Sequence, residues 1–249
     1  ELNSFVNDGW MIIEKNTSLD INMVYFNNDN NLVYSRKCNF ICNKVYVHKF
    51  NDKFSNDTLI YNELEDNIFI NLSKSNDDKF FFIHRSTHKE SQVLAFKQDK
   101  TDIYYITPFD NNTEYFINHH DNKFFILKSI NANTTIYSVN YKFTTNNNEK
   151  IIVFDKYKTF ITQSKQRFIH DFFCFKKFFA YTEINKGRTF IYIVPNYQIN
   201  KKYLVKISPH RSYIQKYNVF KFSKYNDIFV RFSISSLIIP YNMYIHDVK

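Results

Sequence analysis

The chain has 249 residues, 44% of them hydrophobic and 19% aromatic, so it is long enough to bury a substantial core and too apolar to be disordered. Only two glycines, Gly9 and Gly187, occur, which excludes a nucleophile elbow, a phosphate-cradling loop or a dinucleotide fingerprint within these residues, since each needs small residues for close backbone approach. The formal net charge of +9 is dispersed, with Lys and Arg alternating with Asp and Asn in the expected turns, which is the pattern of a solvated rim and not of a nucleic-acid surface.

In chain order, five apolar runs begin at Leu32, Phe80, Phe124, Phe178 and Ile228, at steps of 48, 44, 54 and 50 residues. Each follows a charged or Asn-rich turn and leads through a loop to a second apolar run, at residues 45–47, 92–96, 136–139, 189–193 and 242–245. The second unit is the template. Residues 67–73 alternate loosely and predict a first strand, and the Ser-Asn-Asp-Asp stretch 75–78 predicts a turn. Residues 79–84 predict a central strand, because their nearly continuous apolar run implies cover on both faces. A loop over 85–90 then leads to strands at 92–96 and 102–106. The third unit predicts strands at 115–118, 122–127, 136–141 and 151–154, and the fourth at 168–170, 177–181, 190–194 and 203–207.

A period of this size built only from strands is the mark of a β-propeller, whose blade is one four-stranded sheet. An irregular β-sandwich also has short strands at regular spacing. It does not require the Lys-Phe-Phe motif to return at Lys79, Lys123 and Lys177 at one place in each unit. Helical periodicity is not sustained over three turns anywhere. The expectation is an all-β fold, a single β-propeller domain over residues 1–249 with about five four-stranded blades. The first unit begins abruptly and the last reaches Lys249 without a closing strand, so the ring is expected to be partial.

Three cysteines make no disulfide framework. Cys38 and Cys42 have no second ligand pair for zinc, Cys174 reads as a small core residue, and reduced thiols point to the cytoplasm. No apolar run approaches the ~18 residues of a membrane span, and no membrane partner is expected. His84 and His88 flank a loop-like stretch and are expected to be exposed loop residues. His119-His120-Asp121 resembles a metal cluster in composition only, so neither metal nor cofactor is expected. Ser235-Ser236 lacks neighbouring glycine and reads as structural, and no catalytic residue is assigned. Asp66, Asp171 and Asp227 are expected to bond nearby backbone N–H groups at strand entries and turns. The innermost strand of each blade faces the central channel, which makes Asn71, Asn118, His119 and His170 the candidate channel-lining residues.

Several stretches resemble the propeller of the oligopeptidase B group of the prolyl oligopeptidase family. Residues 230–240 are similar to that group's R-Y-x-Y-S-S-x-T-T-P segment, residues 59–66 to its "lvyeE-x-D" stretch, and residues 87–90 to its "t-S-E" loop. Residues 168–193, with Glu183 ahead of Gly187, follow a further blade. Ile234, Ile238, Ile239 and Arg188 depart from the pattern and mark a divergent member. The resemblance implies a ring of about seven blades and a partner α/β-hydrolase domain in the same parent chain. In the family that domain carries the catalytic Ser, Asp and His, so none of them is assigned to this chain. The implied role is a gate that admits short peptides to a serine peptidase cleaving after basic residues. The second reading, from a different class, is a propeller that acts only as a peptide-binding platform.

Overall fold

The computed structural model describes residues 3–6, 9–12, 21–27, 31–38, 41–97, 100, 102–146, 149–162, 164, 167–206, 216–219, 223–235 and 241–248. A hairpin of β1 (Asn3–Val6) and β2 (Gly9–Ile12) precedes five antiparallel sheets that follow one another along the chain. The first blade is β3 (Ile21–Phe26), β4 (Leu32–Cys38), β5 (Ile41–His48) and β6 (Thr58–Asn62). The second is β7 (Phe69–Lys74), β8 (Phe80–Ser86), β9 (Glu90–Lys97) and β10 (Tyr104–Tyr105), with β11 (Asp110–Asn111) also paired to β9. The third contains β12 (Thr113–His120), β13 (Lys123–Ile130), β14 (Asn133–Asn146), β15 (Glu149–Phe154) and β16 (Lys158–Ile161). The fourth is β17 (Arg167–Cys174), β18 (Phe178–Asn185), β19 (Arg188–Pro195) and β20 (Tyr203–Leu204). The fifth, among the described residues, is β21 (Lys216–Val219), β22 (Phe229–Ser235) and β23 (Asn242–Asp247). The five expected apolar runs are the second strands of these sheets, β4, β8, β13, β18 and β22.

Hydrophobic burial explains the order of the blades. Four apolar clusters occupy the four interfaces between consecutive sheets. In β8 every side chain from Phe80 to Ile83 is buried. Phe81 and Ile83 pack against Val33 and Val45 of the first blade, whereas Phe80 and Phe82 pack against Phe124 and Ile126 of the third. Fully burying each such side chain stabilises the fold by about 1.5–3 kcal/mol relative to leaving it exposed. A strand with cover on both faces cannot alternate with polar residues, which is why these runs read as continuous.

The Lys-Phe-Phe motif does not sit identically in each blade. In the second and fourth blades the first Phe of the motif, Phe80 or Phe178, faces the following blade. In the third blade Phe124 faces the preceding one and Phe125 the following one. The turn before the motif differs in length: Ser75–Lys79 separates β7 from β8, but only Asp121 and Asn122 separate β12 from β13. With a side-chain period of two, a one-residue offset exchanges the faces.

One expected strand is corrected. Residues 151–154 fall in β15, which pairs only with the far half of β14, from Tyr141↔Phe154 to Asn146↔Glu149. The fourth position of that blade belongs to β16, which pairs with Ile136, Tyr137 and Ser138. At 14 residues β14 outruns its neighbours, and its extension with β15 packs back over the second blade. Tyr141, Phe143, Ile152 and Phe154 lie against the cluster between the second and third blades. The Phe143 ring is 5.0 Å from that of Tyr104, and Lys97 Nζ sits 3.8 Å from the Phe143 centroid.

The scarcity of glycine is met by Asn, Asp and a few strained residues in the left-handed region. Asn131 and Ala132 (φ 48° and 62°) turn β13 into β14, and Lys186 and Gly187 (φ 48° and 73°) turn β18 into β19. Cys174 is buried, and burial pushes its thiol well up. The side chains of Cys38, Cys42 and Ser235, and residues 207 and 236–240, lie outside what the structure describes. Among the described residues no helix is long and apolar enough to cross a membrane.

Candidate functional site

The first strands of the second, third and fourth blades, β7, β12 and β17, border an open cavity of about 1470 Å³. Strand alternation decides what each presents. In β7, Ile70 and Leu72 enter the core, while Asn71 and Ser73 line the cavity. In β12, Tyr115 and Ile117 enter the core, while Glu114, Phe116 and Asn118 form the lining row. In β17, Ile169, Phe172 and Cys174 pack into the core against the third blade. A bulge interrupts that alternation: Ile169 pairs with Glu183 and Asp171 with Thr182, leaving His170 as the extra residue. Consecutive side chains, His170 and Asp171, are therefore both exposed on the cavity wall.

Of the four residues singled out from the sequence, Asn71, Asn118 and His170 border this cavity. Asn118 is only 8% exposed, and its amide is engaged in a hydrogen-bonded knot with Asn76. Asn76 N–H donates to Asn118 Oδ1 at 2.8 Å, and Asn118 Nδ2 donates back to Asn76 Oδ1. His119 is placed elsewhere. It is fully buried, with Nδ1 2.6 Å from Asp77 Oδ2 and Nε2 2.9 Å from the Tyr141 hydroxyl. Neighbours on a strand point to opposite faces, so Asn118 and His119 cannot both face the cavity. His120 stacks on Tyr197 with centroids 4.0 Å apart and lies 2.9 Å from the Tyr225 hydroxyl. Among the described residues no group of three His, Cys, Asp or Glu side chains could hold a metal ion.

His84 is corrected from loop to strand: it lies in β8 on the cavity wall. Its Nε2 is 2.8 Å from Ser73 Oγ, a hydroxyl–imidazole pair of the kind that can activate a nucleophile. Burial pushes its pKa down to about 4, so the ring is too weak a base to take the hydroxyl proton near neutral pH. The pair is a structural hydrogen bond. His88 is exposed, as its loop position implies.

The polar wall contains a strongly fixed guanidinium. Arg85 Nε donates to Glu63 Oε2 at 2.6 Å, and Nη1 donates to Gln92 Oε1 at 2.6 Å. Glu63 is buried and also accepts from the Tyr61 hydroxyl at 2.7 Å and from the backbone N–H groups of Leu64 and Glu65. Burial pushes the Glu63 carboxyl up, but these bonds outweigh it and hold the group below the usual carboxylate range. Across the whole cavity, Lys74, Arg85 and Lys89 are matched by Glu90, Glu114 and Asp171. The +9 of the chain is carried elsewhere.

Sequence reasoning missed Arg85, Phe116 and Asp171 as lining residues. Asp171 does bond a backbone N–H, as expected, with Oδ1 accepting from Phe172 at 2.8 Å. No compositional signal reveals the bulge that turns it toward the cavity. Asn76 lay in a turn whose composition is generic, and only its partners distinguish it.

The family described as "Prolyl oligopeptidase, N-terminal beta-propeller domain" matches residues 18–249. Oligopeptidase B from Trypanosoma brucei, in a closed form with covalently bound antipain, superposes with a TM-score of 0.75 at 16% identity, covering 91% of this chain and 32% of that one. Oligopeptidase B from Leishmania major gives 0.68 at 15% identity, covering 90% and 32%. Prolyl oligopeptidase B from Galerina marginata, bound to a 35-residue hydrolysis and macrocyclization substrate, gives 0.69 at 14% identity, covering 90% and 31%. At these identities the likeness is one of fold, and the chain spans about a third of the length of those proteins. No curated protein sequence matches it.

Proposed function

Because the chain belongs to the prolyl oligopeptidase N-terminal β-propeller family, we propose that it is the non-catalytic gate of a serine oligopeptidase. The observation that carries this reading is the cavity of about 1470 Å³ bordered by the inner strands. It is larger than the ~300–1,000 Å³ of an ordinary small-molecule pocket and has the polar and aromatic wall a flexible peptide can use. A folded protein cannot enter it. An α/β-hydrolase domain of the same parent chain supplies the nucleophile, and the peptidase cleaves short peptides after basic residues in the cytoplasm.

The test is a length series in the parent protein, with one scissile sequence extended stepwise at both ends. The expected result is a steep fall of kcat/KM beyond a threshold length, with folded proteins carrying the same sequence left intact. Equal rates for short peptides and folded substrates would overturn the gate. A parent that binds the short peptides without turnover would establish the binding-platform reading instead.

A further inference from the structure

The bulge in β17 does more than kink a strand. It turns Asp171, a residue that regular alternation would direct away, onto the same wall as His170. The carboxylate is reachable from the cavity yet enclosed by its walls. Its Oδ1 accepts the Phe172 N–H at 2.8 Å, while Oδ2 has no hydrogen-bond partner and the group forms no ion pair with Lys or Arg among the described residues. Several buried or half-buried carboxylates differ: Glu63 is paired with Arg85, Asp77 with His119, and Asp110 with Lys128. Desolvation raises the Asp171 carboxyl and outweighs the Phe172 N–H bond and the neighbouring His170, which both act to lower it. Phe168, Phe173 and the 51% exposed Phe116 line the same cavity, and aromatic faces attract cations.

We propose that Asp171 is a cation-binding subsite of the cavity wall, which takes an ammonium or guanidinium group of an entering peptide at a position away from the bond to be cleaved. The inference rests on the reading of this cavity as peptide-holding. Entry of a cation there forms a charge-assisted hydrogen bond to the free Oδ2 and offsets the desolvation of the carboxylate. The aromatic side chains cover the apolar stem of a Lys or Arg.

The experiment measures binding of C-terminally labelled peptides, with the peptide bond after the internal position N-methylated against cleavage, to the full-length parent protein by fluorescence anisotropy. Four peptides separate the two sources of the cation: a free or acetylated N-terminus, each combined with Lys or norleucine at an internal position. Wild type is expected to bind at least one cationic peptide about tenfold or more tightly than the acetylated norleucine peptide. Asp171→Asn, which preserves the acceptor for Phe172 N–H, should erase that preference and leave the neutral peptide unchanged. Asp171→Glu should restore part of it. Neutral binding with no preference for charge, or an equal loss for charged and neutral peptides in Asp171→Asn with an unchanged unfolding midpoint, overturns the subsite alone. Failure of wild type to bind any of the four overturns the peptide-cavity reading together with it.

Discussion

Asn76, in the turn between the first two strands of the second blade, accepts the backbone N–H of Cys174 in the fourth blade at 2.9 Å, across 98 residues of chain. The same Oδ1 also accepts from Asn118 of the third blade, whose own Oδ1 receives the N–H groups of Asn76 and His119 at 2.8 and 2.9 Å. One side chain thus ties the inner strands of three blades together. Asn76→Ala leaves a backbone donor and an amide without partners, and each unsatisfied buried group costs about 1–3 kcal/mol. The expected outcome is a large drop in the thermal midpoint, against almost none for the exposed Asn67→Ala. Equal midpoints for the two variants would show that the knot contributes nothing to stability.

Stability should depend on pH through His84. Its folded pKa of about 4 lies below the ordinary value of about 6.5. Between these values the unfolded chain binds more protons, so stability rises with pH across this window and falls as pH is lowered. The contribution of this single group is at most about 1.4 kcal/mol per pH unit. Urea midpoints measured at about pH 5 and about pH 7 should differ for wild type and differ less for His84→Gln. An identical pH slope in the variant would remove His84 as the source.

The pairing of Glu63 with Arg85 at 2.6 Å predicts a non-additive pair of substitutions. Glu63→Gln leaves the guanidinium without its carboxylate in a largely buried site, a loss of about 3–5 kcal/mol. The double variant Glu63→Gln, Arg85→Gln should be more stable than the single one, because no uncompensated charge remains. A denaturant-based double-mutant cycle reads this directly, and strict additivity would contradict it.

Ala132 sits at φ 62° in the tight turn between β13 and β14. A left-handed L-residue costs about 1–2 kcal/mol, which glycine does not incur. Ala132→Gly is therefore expected to raise stability, offset in part by the greater freedom of glycine in the unfolded chain. A lowered unfolding midpoint would argue against strain at this turn.

The central strands were legible because cover on both faces leaves an unbroken apolar run, as in residues 80–83 and 124–127. The edges were not. β10 and β20 are two residues long and carry almost no pattern, and residues 151–154 read as a blade edge although they belong to the extension of β14. Asn71, Asn118 and His170 could be placed beside the cavity by assigning them to first strands, since those strands are innermost in a propeller. His119 could not, because its direction depends on a register that a turn one residue longer would reverse. The bulge at His170 is likewise a tertiary outcome, invisible in Phe-Ile-His-Asp-Phe.

The offset of the aromatic motif in the third blade bears on how this repeat can be edited. If the second blade were transplanted into the third position with its own five-residue turn, Phe80 would point where Phe125 now points, and Phe81 where Phe124 points. Each apolar row would then still face the side it faces now, because the turn and the motif behind it shift together. A turn and the strand that follows it are therefore one inherited part. A gene could lose or duplicate a whole blade and keep its faces, whereas a turn exchanged alone for one a residue longer or shorter would reverse the rows behind it.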